Sequence, residues 1–287
     1  MFVLAAKKQG GNRYAVSGDE PLPGRMGIML ARDELSIEHK LHTALETGGL
    51  QLYYQPIAGF DGNVQAVEAL MRCTVQGESI FPAQFIPVAE KTGLIVRLGE
   101  WSLLQGARHA RRMSSHGFKI KVAVNVSRAQ LADAKFLQAL HAALICADAE
   151  PELIELELTE SLFMDVSDTV RKNLHGALDC GVSLAIDDFG TGYSCLANLK
   201  DIPATKLKLD RALITALPED RRALSVVKAI AQLGKELGMT VVAEGIETLE
   251  QIEALKAAGV DCIQGYYYAR PMSEEALLSW LDERKPA

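Results

Sequence analysis

Eight short β-like runs, separated over most of the chain by amphipathic helical segments, constrain this sequence more than any other feature. The runs are QLYYQPI (51–57), VQAVEAL (64–70), KIKVAVNV (119–126), LIELEL (153–158), VSLAID (182–187), TKLKLD (205–210), TVVAE (240–244) and DCIQG (261–265). Helical periodicity occupies Glu100–His116, Ala129–Cys146, Asp168–Cys180, Arg221–Gly238 and Leu249–Ala258. Strands alternating with helices imply a parallel sheet, because parallel neighbours need long crossovers. Eight such strands suit closure into a (β/α)8 barrel, and 287 residues allow one barrel of about 250 residues plus an extension. The extension is at the amino end. Residues 1–33 are rich in glycine and proline without sustained periodicity and read as a tail or linker, whereas 34–287 read as the domain. The first helical pattern starts at Asp33 and runs to about Leu50.

Charge and cysteine usage narrow the function classes. Thirty basic residues against thirty-seven acidic give a formal net charge of −7, which disfavours broad attraction to a nucleic acid polymer or an anionic membrane. The five cysteines, Cys73, Cys146, Cys180, Cys195 and Cys262, are scattered and form no CxxC pair, so neither a zinc knuckle nor a disulfide framework is indicated. The opening MFVLAAKKQGG has the wrong order for a signal peptide, and no apolar run approaches the roughly 20 residues of a membrane helix. The expectation is a cytoplasmic, reduced fragment with no membrane segment of its own; membrane attachment of a longer parent stays open.

The chemistry emerges when each strand is read at period two. Val122, Val124 and Val126 share one face of their run, and Lys121, Ala123 and Asn125 share the other. Leu156 and Leu158 oppose Glu155 and Glu157; Leu184 and Ile186 oppose Ala185 and Asp187; Leu207 and Leu209 oppose Lys206 and Lys208. Apolar faces belong under the helices, so the polar faces point into the barrel. The last inward residues are Glu68, Asn125, Glu157, Asp187, Lys208, Glu244 and Gln264. These fall at the carboxyl-end rim, where barrel active sites are built. Four carboxylates and an asparagine converging there suit hard cations such as Mg²⁺ or Mn²⁺. Asp188 beside Asp187 offers a ligand for a second ion, and two ions suit phosphate-ester hydrolysis. Lys208 is placed to offset developing negative charge. One layer lower on alternate strands lie Ala66, Glu155, Lys206 and Cys262. Glu155 and Lys206 are therefore expected to pair inside the barrel, with Lys121 as the alternative cation.

Seven motifs then carry a resemblance. VEALMR (67–72), NVS (125–127), ELTES (157–161), DDFGTGYSCL (187–196), KLD (208–210), AEGIET (243–248) and QGYYYARP (264–271) resemble, in this order, the EAL-domain family of bacterial cyclic-di-GMP phosphodiesterases. The resemblance runs from about residue 36 to 284. It implies a (β/α)8 barrel whose first strand runs against the others, and hydrolysis of cyclic di-GMP to linear pGpG. It implies that Glu68, Asn125, Glu157 and Asp187 hold a first metal, and that Asp187, Asp188 and Glu244 serve a second. Mg²⁺ or Mn²⁺ is the implied cofactor, two ions per site, with Ca²⁺ inhibitory. Lys208, Glu244 and Gln264 are implied in catalysis, the lysine and glutamine orienting the attacking water. Substrate contacts fall to Arg72, Glu68, Leu70, Asp210 and Tyr268. Glu160 would pin the 187–196 loop, through which a homodimer is expected. The family's usual tryptophan after the first motif is Cys73 here, and a common loop serine is Cys195; neither is a ligand position. AAKKQGGNRYAV (5–16) resembles the end of a GGDEF diguanylate-cyclase domain, so 1–33 reads as the tail of such a domain plus a linker. Two rival classes fit the motifs less well. A silent receptor keeps the pocket but lacks metal ligands, and a barrel glycosidase needs two carboxylates but neither Lys208 nor the Asp187–Asp188 pair.

Overall fold

The computed structural model describes residues 23–164, 166–190 and 199–284. The GGDEF-like segment at 5–16, and residues 191–196 of the expected dimer loop, lie outside the described residues. The first helix, α1 (Pro23–Thr47), begins upstream of Asp33, so the boundary expected at 33/34 falls inside a continuous helix. Pro23 at its first position lacks only an N–H that would be unpaired anyway.

All eight expected strands are present. β1 (Leu50–Gly59) and β2 (Val64–Val75) form an antiparallel hairpin. β4 (Lys121–Asn125), β5 (Ile154–Thr159), β6 (Ser183–Phe189), β7 (Lys206–Leu209), β8 (Thr240–Ala243) and β9 (Cys262–Ile263) follow β2 in parallel. β9 then pairs antiparallel with β1, which closes the barrel with its first strand reversed, as expected. A ninth strand, β3 (Glu78–Ile80), extends β2 outside the barrel and was not foreseen. Its two-residue turn places Gln76 at φ 51° and Gly77 at φ 81°, the left-handed pair that matches strand twist in a tight hairpin.

The helices are α2 (Pro82–Thr92), α3 (Leu94–Ser115), α4 (Arg128–Ala132), α5 (Phe136–Ala147), α6 (Asp168–Asp179), α7 (Arg211–Ile214), α8 (Arg221–Glu236), α9 (Leu249–Ala258) and α10 (Glu274–Asp282). The expected single helix 129–146 is two, because Asp133 adopts extended backbone and its carboxylate accepts the Lys135 N–H at 2.8 Å. The expected helix from Glu100 starts earlier, at Leu94, after a left-handed Gly93. No described helix is long and apolar enough to cross a membrane.

Helices cover the outward strand faces. Val122, Val124, Leu156, Leu158, Leu184, Ile186, Leu207, Leu209 and Val241 are all completely buried in one cluster. Each such side chain contributes about 1.5–3 kcal/mol on leaving water. The inward faces stack in layers. Beneath the rim, Ile57, Ala66, Val242 and Cys262 form a small apolar cluster. At the same depth Glu155 is ion-paired with Lys206, both buried. Lys121 Nζ donates to Ser183 Oγ at 2.9 Å, and that hydroxyl donates to Glu155 Oε2 at 3.4 Å. The expected pairing therefore holds, with Lys121 joining it through Ser183.

Candidate active site

Lys208 is the centre of the rim. Strand parity turns it inward, and its side chain is wholly buried. Its Nζ lies 2.7 Å from Glu244 Oε1, 2.9 Å from Glu157 Oε1, 3.1 Å from Asp187 Oδ1 and 3.3 Å from Glu68 Oε2. Four strands thus deliver four carboxylates to one ammonium. Glu68 is fixed further: Asn125 Nδ2 donates to its Oε1 at 2.9 Å, and Gln264 Nε2 donates to its Oε2 at 2.6 Å. Gln264 Nε2 also reaches Gln55 Oε1 at 3.3 Å, and Gln55 Nε2 donates to the Ala269 carbonyl at 3.1 Å. Sequence reasoning missed Gln55, although its place on an inward face of β1 was a usable signal.

Charge does not balance here. Burial pushes the Glu157 carboxyl well above its ordinary range, and Lys208 only partly offsets this. Burial likewise raises Glu244 to about 8. Burial also favours protonated Glu68, but Lys208 and the two amides override it and hold that carboxyl down. For Lys208 itself, burial opposes the charge, while Asp187, Glu157, Glu68 and Glu244 reverse the effect and raise its affinity for the proton well above normal. Glu157 Oε2 is buried with no hydrogen-bond partner, and oxygens of Glu68, Glu157 and Asp187 lie within 4.8 Å of one another. Buried, under-partnered carboxylate oxygens at that spacing fit a hard divalent cation.

Asp188 joins the site by a break in strand geometry. Period two would turn it away from Asp187, but the β6–β7 register shifts at this point and Asp188 takes φ 55°. Aspartate tolerates that left-handed region better than most residues. Asp187 and Asp188 consequently line the same open pocket of about 280 Å³, together with Glu68, Leu70, Glu244 and Gln264. Burial, then the charges of Asp187 and Asp210, lift Asp188 to about 6. Gly265 follows Gln264 where no side chain fits, since a Cβ would stand 2.2 Å from the Ile246 carbonyl oxygen.

The remaining expected residues divide. Glu160 is buried and its Oε2 accepts the Gly190 N–H at 3.1 Å. Asp210 caps α7 by accepting the Ala212 N–H at 2.8 Å, and lies near enough to act on Asp188. Arg72 donates to the Met71 carbonyl and lies over the Tyr53 ring, outside the pocket lining. Tyr268 is engaged elsewhere. Its hydroxyl donates to the Gly62 carbonyl at 2.6 Å and its ring packs edge-on to Trp280, outside the pocket lining. Tyr266 lines the pocket instead, with Arg270 over its ring at 4.2 Å. Three successive tyrosines in a turn offer no periodicity to tell them apart. Arg211 and Glu247 also line the pocket and were not anticipated.

Comparison with known proteins agrees with this geometry. Residues 38–271 match the family described as EAL domain. The bifunctional diguanylate cyclase/cyclic di-GMP phosphodiesterase MucR of Pseudomonas aeruginosa is 42% identical over 252 residues, 87% of this chain and 37% of MucR. The cyclic di-GMP phosphodiesterase NbdA of the same species is 36% identical over 260 residues, 90% of this chain and 33% of NbdA. The solved PaMucR phosphodiesterase, a c-di-GMP complex, has a TM-score of 0.80 at 41% identity, covering 84% of this chain and 99% of that one. The chain spans about a third of the length of the curated relatives it matches.

Proposed function

This chain belongs to the EAL domain family, and on that premise we propose that it hydrolyses cyclic di-GMP to linear pGpG with divalent metal. One observation carries the reading: four carboxylates around buried Lys208 at the carboxyl ends of the strands, with Glu157 Oε2 left without a partner. Glu68, Asn125, Glu157 and Asp187 would hold one Mg²⁺ or Mn²⁺, and Asp187, Asp188 and Glu244 a second. Bound cations supply polarisation of the phosphoryl oxygens and acidification of water. The surrounding carboxylates favour the protonated form of Lys208, which suits it to donate to the attacking water and to offset charge developing on the phosphoryl group. Gln264, held by Glu68 and Gln55, helps to fix that water. The water oxygen joins phosphorus and gives up a proton, the bond to the 3′ oxygen breaks, and the 3′ oxygen takes up a proton. A linear dinucleotide with a 5′ phosphate results.

The same reading makes 34–287 the phosphodiesterase unit, with a diguanylate-cyclase-like domain before it in a longer parent, as the double name of MucR supports. It also keeps the 187–196 loop as a homodimer contact. The decisive experiment is incubation with cyclic di-GMP and Mg²⁺, followed by chromatography for pGpG. We expect the product with Mg²⁺ or Mn²⁺, poor substitution by Ca²⁺, whose coordination is looser, and none in EDTA. Full turnover in EDTA would overturn the reading.

A further inference from the structure

The pocket over the ring has an electrostatic problem that one residue addresses. Five carboxylates line it, Glu68, Asp187, Asp188, Glu244 and Glu247, and among the described residues Arg211 is its one lining cation. Lys208 lies beneath, wholly buried and shared among four carboxylates. Segment 191–198 contains no lysine or arginine. Arg211 is exposed and makes no ion pair with a described residue.

Its place is built by two neighbours. Asp210 caps α7 and so fixes Arg211 as the first helical residue, directly after the strand that carries Lys208. Gly245, at φ +71°, follows Glu244 on the adjacent strand end; a Cβ there would come within 2.5 Å of the Arg211 Cβ. Glycine at 245 therefore leaves the room in which the arginine stem stands beside the pocket.

A cyclic dinucleotide carries two diester charges. The ring and the cations it fits can compensate the one being cleaved. The other meets a wall of carboxylates unless Arg211 answers it, and a guanidinium fork matches two phosphate oxygens. We propose that Arg211 is a specificity-determining residue that binds the non-reacting phosphodiester of a cyclic dinucleotide, and so selects two-phosphate substrates over single diesters. This rests on the cyclic-dinucleotide reading above.

The test uses Arg211→Ala, Arg211→Lys and Arg211→Gln with cyclic di-GMP and with bis(p-nitrophenyl) phosphate, which has only one diester. For Arg211→Ala the KM for cyclic di-GMP should rise about tenfold with kcat changed much less, the pattern of lost uniform binding. The ratio of kcat/KM values, cyclic di-GMP over the single diester, should fall by a similar factor. Arg211→Lys, which keeps the charge, should recover most of the loss; Arg211→Gln, which keeps only hydrogen-bond donors, should not. Equal losses on both substrates, an unchanged KM, or full rescue by glutamine would each overturn the assignment. Calorimetric titration of cyclic di-GMP in EDTA separates the two readings. If the wild type binds about tenfold more tightly than Arg211→Ala but yields no pGpG with Mg²⁺, hydrolysis is wrong and the Arg211 contact stands. If wild type hydrolyses and the two bind alike, the Arg211 contact is wrong and hydrolysis stands.

Discussion

Two adjacent layers of the barrel use the same pair of strands and reach opposite electrical outcomes. Glu155 and Lys206 stand two residues below Glu157 and Lys208 on β5 and β7. In the lower layer one carboxylate meets one ammonium directly, and Ser183 ties in Lys121. At the rim one ammonium faces four carboxylates, and Glu157 Oε2 is buried with no hydrogen-bond partner. Both layers are buried, so burial alone does not separate scaffold from site. Balance does. A self-satisfied ion pair has nothing left to offer a ligand, whereas a buried surplus of negative charge is tolerable only if something positive completes it.

Removing each lysine breaks the comparison most directly. Lys208→Met should lower pGpG formation about a thousandfold, or ~4 kcal/mol of barrier. Asp187→Asn, at the shared carboxylate, should lose more than about tenfold. Lys206→Met should lose less than about tenfold, since it touches no rim carboxylate. Steady-state rates at saturating Mg²⁺ decide it; equal losses for the two lysines would show that the layers are not functionally distinct.

The lower layer should instead answer in stability. Glu155→Gln leaves the Lys206 ammonium buried beside a neutral amide, which costs about 3–5 kcal/mol. Replacing both partners at once, Glu155→Met with Lys206→Leu, removes the charge and its desolvation together and should be close to neutral. Urea unfolding reads both. A double variant as unstable as the single one would mean that the pair stabilises the fold rather than merely satisfying itself.

How much of this was readable in the sequence follows the same physics. Period-two alternation exposed Glu68, Glu157, Lys208 and the pair beneath them, because a residue's side of a strand is fixed by its parity. Parity fails where the backbone leaves the strand. Asp188 reaches the pocket only through a register shift and a left-handed backbone, so parity did not point to it; its adjacency to Asp187 and the family resemblance did. Arg211 and Glu247 lie beyond strand ends, and Tyr266 is distinguished from Tyr268 only by a turn. β3 escaped notice because its turn is Gln76-Gly77 rather than the Asn-Gly that flags such hairpins. The helical start at Pro23 was hidden by the glycines around it.

Cation binding sharpens the comparison further. Mn²⁺ at about a hundred times its dissociation constant should stabilise the wild type by about 2.7 kcal/mol, seen as a rise in Tm. Glu155→Gln should keep that rise, starting from a lower Tm. Glu157→Gln, altering the carboxylate with the unpartnered oxygen, should lose most of it. The same rise in all three proteins would place the cation elsewhere.

The smallest effect concerns an ion pair outside the barrel, between α3 and the start of α10, where Arg112 binds Glu274 beside His109. Burial favours a protonated Glu274, but the contacts with His109 and Arg112 outweigh it and draw the carboxyl down to about 2. Its folded value thus lies below its ordinary 4.5. The unfolded chain takes up the proton first, so the contribution is complete above about 4.5 and is lost as pH falls toward about 2. His109, which burial keeps neutral, loses stability in the same direction on acidification, so wild type must be compared with Glu274→Gln rather than read alone. The Tm difference between those two proteins should be clear at about pH 6 and shrink toward zero by about pH 2, amounting to no more than a few degrees because the pair is partly solvated. The glutamate side chain is 21% exposed and the arginine 46%, so solvent screens this pair as it cannot screen Glu155 and Lys206. Added salt should therefore reduce the Glu274 difference while leaving the cost of Glu155→Gln intact, because only the solvent-facing pair lies within reach of the ionic atmosphere.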